Sequence, residues 1–236
     1  PTWTRRRRFQ AIERAADAVF AGNDHLAGLA RAAGRDAEVI PTVVEMPERS
    51  RLVPAAEGPP VLGWIGSRST LPYLDREWVT LSAVVATGKA IKLRVIADGR
   101  PFMPPGIAVE VVPWTERGWP GALSATHFGL APLPDDAWTR GKCGLKVLQT
   151  LSVGRPVVAS AVGVQKEQVV HGETGFLATN QEEFFESILH LIEDPARAAR
   201  MGEAGREDVR ARYSVEAWAP RLVEAVGRWL DGQRAA

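Results

Sequence analysis

The 236-residue chain holds one cysteine, Cys143, so no internal disulfide can form, and no Cys-x-x-Cys pair or His/Cys cluster offers a thiolate metal site. A reducing, cytoplasmic setting is therefore expected. An excess of charge is missing too: 29 Lys and Arg against 28 Asp and Glu leave a formal net charge of +1, no global field with which to collect nucleic acid. No apolar run approaches the roughly 20 residues of a membrane-spanning helix. The opening PTWTRRRRFQ has neither an initiator Met nor the apolar core of a signal peptide, which leads us to expect part of a longer protein. There is no internal repeat and no low-complexity segment.

What remains is an ordinary globular composition, 45% hydrophobic and 24% charged, with a clear order of elements. Short apolar runs at 17–23 (DAVFAGN) and 37–45 (AEVIPTVVE) flank a helical stretch from Asp24 to Ala33 that stops at Gly34. Residues 46–60 carry four prolines and no periodicity, as a linker does. Beyond them, strand-like runs recur at 61–66, 91–98, 107–114, 127–133 and 156–160, mostly apolar throughout rather than alternating, which is the pattern of parallel strands buried on both faces. Helical patterns lie between and after them: one from Leu71 to Val85, a short one at Trp119–Ser124, one over roughly 144–153 and one at 182–193 behind an Asn180 cap. Another is capped by Asp194 with Pro195 in its first position, and a terminal helix carries Trp218 and Trp229. The alternation predicts an α/β fold with a doubly wound, Rossmann-like parallel sheet.

Such sheets bind ligands beyond the carboxyl ends of their strands, which directs attention to four junctions. In GWIGSRST (63–70), Gly66 permits close backbone approach, Ser67 follows, and Arg68 carries a guanidinium suited to phosphate; a plain tight turn with a solvated arginine explains the same residues. In RGKCGLKVLQTLS (140–152), Leu145, Leu148, Leu151 and Ser152 are assigned to the sheet-facing side, while Lys142, Lys146 and Gln149 share a separate stripe. A solvated helix face accounts for that stripe without function. A helix N-terminus with two lysines and the permissive Gly144 also suits a diphosphate. VVPWTERGWP (111–120) follows the third strand of this region and carries Pro113, Trp114 and Thr115; Trp114 and Trp119 can simply cap the core, since an indole buries much apolar surface anywhere. In SAVGVQKEQ (160–168), Gly163 either brings backbone to a ligand or makes a simple turn. His127 and His171 have no Ser or Cys partner arranged for nucleophilic catalysis and are assigned structural roles.

The stretch CGLKVLQTLSVGRPVVASAVGVQKEQVVHGETGFLA (143–178) resembles the donor-binding segment of the glycosyltransferase group 1 proteins, a retaining family with two Rossmann-like domains in the GT-B fold. VIPTVVE resembles the close of that family's N-terminal domain, VLGWIGS the first strand of its C-terminal domain, and EDPARAARMGEAGREDVRARYS its tail; the pieces run in the same order from about residue 15 onward. The resemblance departs at two positions. Where the family shows glutamates eight residues apart, one toward the donor sugar and one toward the ribose, this chain has Gly141 and Gln149.

The resemblance implies a metal-independent transferase that moves a sugar from a nucleotide-diphosphate donor to a saccharide or lipid-linked acceptor, needs no cofactor, and serves bacterial polysaccharide synthesis. No Asp-x-Asp occurs, unlike transferases of the other main fold, which hold diphosphate through a cation. It further implies residues 1–45 as the end of the acceptor domain, 46–60 as linker, 61–214 as the donor-binding domain, and 215–236 as a helix returning to the N-terminal domain. Arg68, Lys142 and Lys146 are then the catalytic cations, with Gly66, Ser67, Trp114, Thr115, Gly144, Leu145, Gln149 and Gly163 around the donor. The Arg5–Arg8 run is a candidate for peripheral contact with anionic lipid, or a solvated helix face. A non-catalytic nucleotide-sugar-binding scaffold and a nucleotide-sugar epimerase stay open as alternatives.

Overall fold

The computed structural model describes residues 7, 8, 11, 12, 15–103 and 105–235. Arg5 and Arg6 lie outside them, while Arg7 and Arg8 are exposed. The described chain begins with a small parallel pair, β1 (Val19–Ala21) and β2 (Ala37–Val39), joined by α1 (Asp24–Ala32). The Asn23 side chain accepts from Leu26 N and caps α1, as Asn does where the first helical N–H groups have no partner.

The main body is a six-stranded, wholly parallel sheet in the order β5-β4-β3-β6-β7-β8: β3 (Val61–Ile65), β4 (Lys92–Ile96), β5 (Ala108–Val112), β6 (Phe128–Ala131), β7 (Val157–Ser160) and β8 (Gly175–Ala178). The chain starts at the centre, works out to one edge, then crosses back to lay β6 against the other side of β3. This reversal is the crevice in which doubly wound sheets hold ligands. Register is set by pairs such as Trp64 with Val95 and Leu62 with Phe128. All five residues of β3 are buried, which is why it reads as an unbroken apolar run. One side of the sheet packs Leu62, Trp64, Leu93 and Phe128 with Leu81, Ile188 and Leu191; the other packs Ile65, Ile96 and Val157 with Leu123, Leu148 and Leu151.

The crossovers are α2 (Leu71–Asp75), α3 (Trp78–Ala86), α4 (Trp119–Ser124), α5 (Leu145–Ser152) and α6 (Gln165–Gln168), followed by α7 (Gln181–Glu193), α8 (Pro195–Tyr213) and α9 (Val215–Ala235). Two caps read from sequence are present: Asn180 accepts from Glu183 N, and Asp194 from Arg197 N ahead of Pro195. Three local expectations need correction. The single helix foreseen over 71–85 is two, broken at 76–77, where Asp75 Oδ1 accepts from both Trp78 Nε1 and Phe102 N and holds a turn. Leu145, assigned to the sheet-facing side of α5, is exposed, and Val147 takes the buried place. β8 is a strand that the apolar-run criterion passes over, because it opens with Gly175; a methyl there would overlap the Val157 backbone on β7.

The proline-rich stretch 46–60 is strapped down. Val53 N donates to Ser124 Oγ at 2.8 Å and Ala56 N to Ala125 O at 3.1 Å, while Arg206 Nη2 donates to Pro47 O at 2.7 Å. Helix α9 reaches the β1–β2 unit through Trp229 Nε1 to Asp17 O (3.2 Å) and an Arg228–Glu38 ion pair (2.7 Å). Trp218 and Trp229 are both partly buried.

Candidate functional site

The carboxyl ends of β3, β4, β5, β6 and β7, with the amino end of α5, surround a cavity of about 520 Å³. Ile65, Gly66 and Ser67 reach it from β3, Asp98 from β4, Trp114 from β5, Leu133 from β6 and Gln165 from the start of α6, after β7; Lys142, Cys143, Gly144, Leu145, Lys146 and Gln149 form the α5 side. Its size suits a small molecule held in a cleft.

The α5 side explains why sequence and geometry fit here. Gly144, the residue before the helix, has φ +68°, and a methyl on it would overlap the Gln168 amide. Only glycine adopts that left-handed turn freely, and the turn sends Lys142 and Lys146 toward the same space. Lys146 Nζ donates to Thr70 Oγ1 at 2.9 Å and lies 4.3 Å from the Trp64 ring centroid. Gly66 makes room for it, since a side chain there would meet Nζ, the Trp64 ring and Thr70 Oγ1. Burial, assisted by the neighbouring Lys142 charge, lowers the Lys146 pKa from 10.5 to about 7. The indole face works in the opposite direction, favouring the ammonium form. Lys142 Nζ sits 5.5 Å from the rings of both Tyr73 and Trp138.

The stripe of Lys142, Lys146 and Gln149 thus lines a cavity rather than a solvated helix face: Gln149 is only 8% exposed. Lys142 precedes the helix rather than belonging to it. Gly66, Ser67, Trp114, Gly144 and Leu145 are brought to the same cavity. The two tryptophans of the third junction separate, with Trp114 exposed at the cavity and Trp119 buried in the core.

Three nominated residues stand apart. Arg68 is exposed and outside the cavity wall, and its backbone N donates to Asp98 Oδ1 at 2.6 Å. Thr115 Oγ1 is turned to Gly118 N at 3.1 Å, outside the lining. Gly163, at φ +53°, packs on the Arg140 backbone in a neighbouring cleft shared with Asn23 and Asp135. Sequence reasoning passed over Thr70, Trp64, Asp98, Cys143 and Gln165. Thr70 and Trp64 lie inside the quoted GWIGSRST, but the contact of each with Lys146 spans 76 and 82 residues, beyond any local pattern.

The histidines hold backbone: His127 Nδ1 accepts from Val61 N at 3.0 Å, and His171 Nδ1 from Leu177 N at 3.2 Å. Burial, then the Arg155 charge, lowers the His127 pKa. Asp135 pairs with Arg140 at 2.6 Å, and Asp136 accepts from Trp138 N and Thr139 N.

Residues 60–194, more than half of the chain, match the family model of the glycosyl transferases group 1. The chain belongs to that family. A group 1 relative, the D-inositol 3-phosphate glycosyltransferase of Thermobispora bispora, is 28% identical over 192 residues, 80% of this chain and 38% of its own. Among solved structures, sucrose-phosphate synthase from Thermosynechococcus elongatus superposes with a TM-score of 0.74 at 21% identity, over 94% of this chain and 61% of that one. Anabaena Alr3699/HepE in complex with UDP-glucose gives a TM-score of 0.69 at 16% identity, over 93% and 68%. These two similarities establish the fold, a GT-B glycosyltransferase architecture. The chain spans less than two fifths of the length of the curated relatives it matches.

Proposed function

We propose that this chain is the donor-binding part of a glycosyltransferase that moves a sugar from a nucleoside-diphosphate sugar to a saccharide or lipid-linked acceptor. The observation that carries the reading is the convergence of Lys142, Lys146 and the amino end of α5 on one cavity at the carboxyl ends of the sheet. A diphosphate there meets two amines and the positive end of a helix dipole, an arrangement that stabilises charge growing on the leaving phosphate. These groups take the part that a divalent cation plays elsewhere, so we propose metal-independent transfer, with retention of configuration in keeping with the family. Gln149 faces the ribose, its amide able to donate and accept with two hydroxyls, and Trp114 offers an indole face to the base. UDP-glucose, bound by a structural neighbour, is the first donor to try.

The geometry separates the three cations. Lys142 and Lys146 both line the cavity, Lys146 held there by Thr70 and Trp64, whereas Arg68 lies on the adjoining turn and contacts a diphosphate only after its side chain swings in. Lys142→Ala and Lys146→Ala are expected to weaken UDP binding about ten- to a hundredfold, the loss of one charge-assisted hydrogen bond, and Arg68→Ala less than either. Calorimetric titration of UDP into the three variants checks this; an Arg68→Ala loss exceeding both lysine losses would sink the assignment.

A non-catalytic nucleotide-sugar-binding role draws support from Gly141, which has no side chain to meet a sugar and packs against Leu26 and the Trp138 backbone. Turnover separates the two. Transfer or donor hydrolysis by the whole protein, followed by mass spectrometry over a nucleotide-sugar panel, supports the enzyme; binding without turnover supports the scaffold.

A further inference from the structure

Lys142 and Cys143 belong to no helix or strand, yet their backbone is held from two sides. On one side Gln168, wholly buried, donates from Nε2 to Cys143 O at 3.2 Å. On the other stands Asn23, only 5% exposed and 119 residues away in the chain, whose Nδ2 donates to Lys142 O at 3.2 Å and approaches Cys143 Sγ at 3.7 Å. Gly22, beside it, lies so close that a methyl would overlap the Cys143 sulfur. Asn23 Oδ1 is already committed to capping α1 through Leu26 N. One buried amide therefore caps the start of a helix of the N-terminal segment and anchors the loop that presents a cavity lysine.

We propose that Asn23 is a positioning residue for the ligand cavity: by holding the Lys142 carbonyl it fixes the direction in which the Lys142 amine enters the site, and so couples the β1–α1–β2 unit to nucleotide binding. The coupling to binding rests on the donor reading above; the anchoring of the loop does not. Without the Nδ2 donor, a half-buried carbonyl loses its partner and the loop gains freedom, and Lys142 is left to choose among rotamers beside Tyr73 and Trp138.

Asn23→Ser separates the two jobs, because serine caps a helix about as well as asparagine but is too short to reach Lys142 O. Asn23→Asp, another good cap without an N–H, serves as the second variant. Cys143, the sole cysteine of the chain, reports on the loop without any ligand. We expect the thiol of Asn23→Ser to react with a disulfide reagent about fivefold faster and UDP to bind about fivefold more weakly, the scale of one neutral hydrogen bond. Thermal unfolding should stay within a few degrees of wild type. If Asn23 acts through Lys142, the binding penalty vanishes in a Lys142→Ala background. A thiol rate equal to wild type in both variants, or a penalty that persists without Lys142, overturns the proposal. Should the unmodified protein bind neither UDP nor UDP-glucose, the donor reading falls, and the thiol rate alone decides whether Asn23 holds the loop.

Discussion

Lys146 is where burial and function pull against one another. Its amine is held between Trp64, Thr70 and the Lys142 charge, with a pKa near 7 in place of the ordinary 10.5. Because the folded pKa is the lower, the unfolded chain binds more protons between about pH 7 and 10.5, so this group makes stability rise with pH across that window. Lys146→Met keeps the apolar stem and removes the titration. The variant should be more stable than wild type at pH 6, where the amine is charged and desolvated, by about 1–2 kcal/mol, and that advantage should be clearly smaller at pH 9, part-way through the window. Urea midpoints at both pH values check it; a constant difference would mean that the amine is solvated. Diphosphate binding has the opposite sense: above pH 7 the site must take up a proton before it offers its second full charge, so affinity falls as pH rises.

At the level of elements, α5 and α8 show what the sequence discloses and what it hides. The position of α5, its glycine start and its neighbour β7 follow from local pattern, as does the Asp194–Pro195 entry to α8. Leu145 was misplaced because a helical wheel cannot tell a sheet-facing stripe from one that borders a cavity. Arg206 gives no signal at all in GREDVRARY. It is 2% exposed; its guanidinium donates to Ser152 O, at the end of α5, and to Pro47 O in the proline-rich stretch. Burial lowers its pKa, the nearby Arg49 and Arg210 charges adding to the effect. Two carbonyls from distant elements thus depend on one side chain, a relation that exists only after folding. Arg206→Met, close in volume, should strand both acceptors and cost about 2–4 kcal/mol. Chemical denaturation measures it, and a loss under 1 kcal/mol would show that water replaces the guanidinium.

On the scale of the whole molecule, the chain closes on itself. Val44 N donates to Tyr213 O at 2.9 Å, and Val215 N to Val44 O at 3.3 Å, so the end of the N-terminal segment pairs with the start of α9. From there α9 runs back over the small unit, where Trp229 Nε1 meets Asp17 O and Arg228 meets Glu38. The exposed ion pair contributes at most about 1 kcal/mol; the indole, with its buried area and its hydrogen bond, is the stronger tie. The six-stranded sheet has its own two-sided core and does not depend on this tie. Trp229→Ala should therefore loosen one part of the molecule selectively. Amide exchange in β1, α1 and β2 should accelerate, about tenfold or more for a loss of 1.5–2 kcal/mol, while β3 to β8 keep their protection. Since Asn23 heads α1, the same variant should quicken modification of Cys143. Exchange read by mass spectrometry decides the matter: uniform acceleration across both units would mean that they open together, and that α9 stabilises the whole fold rather than fastening the small unit to it.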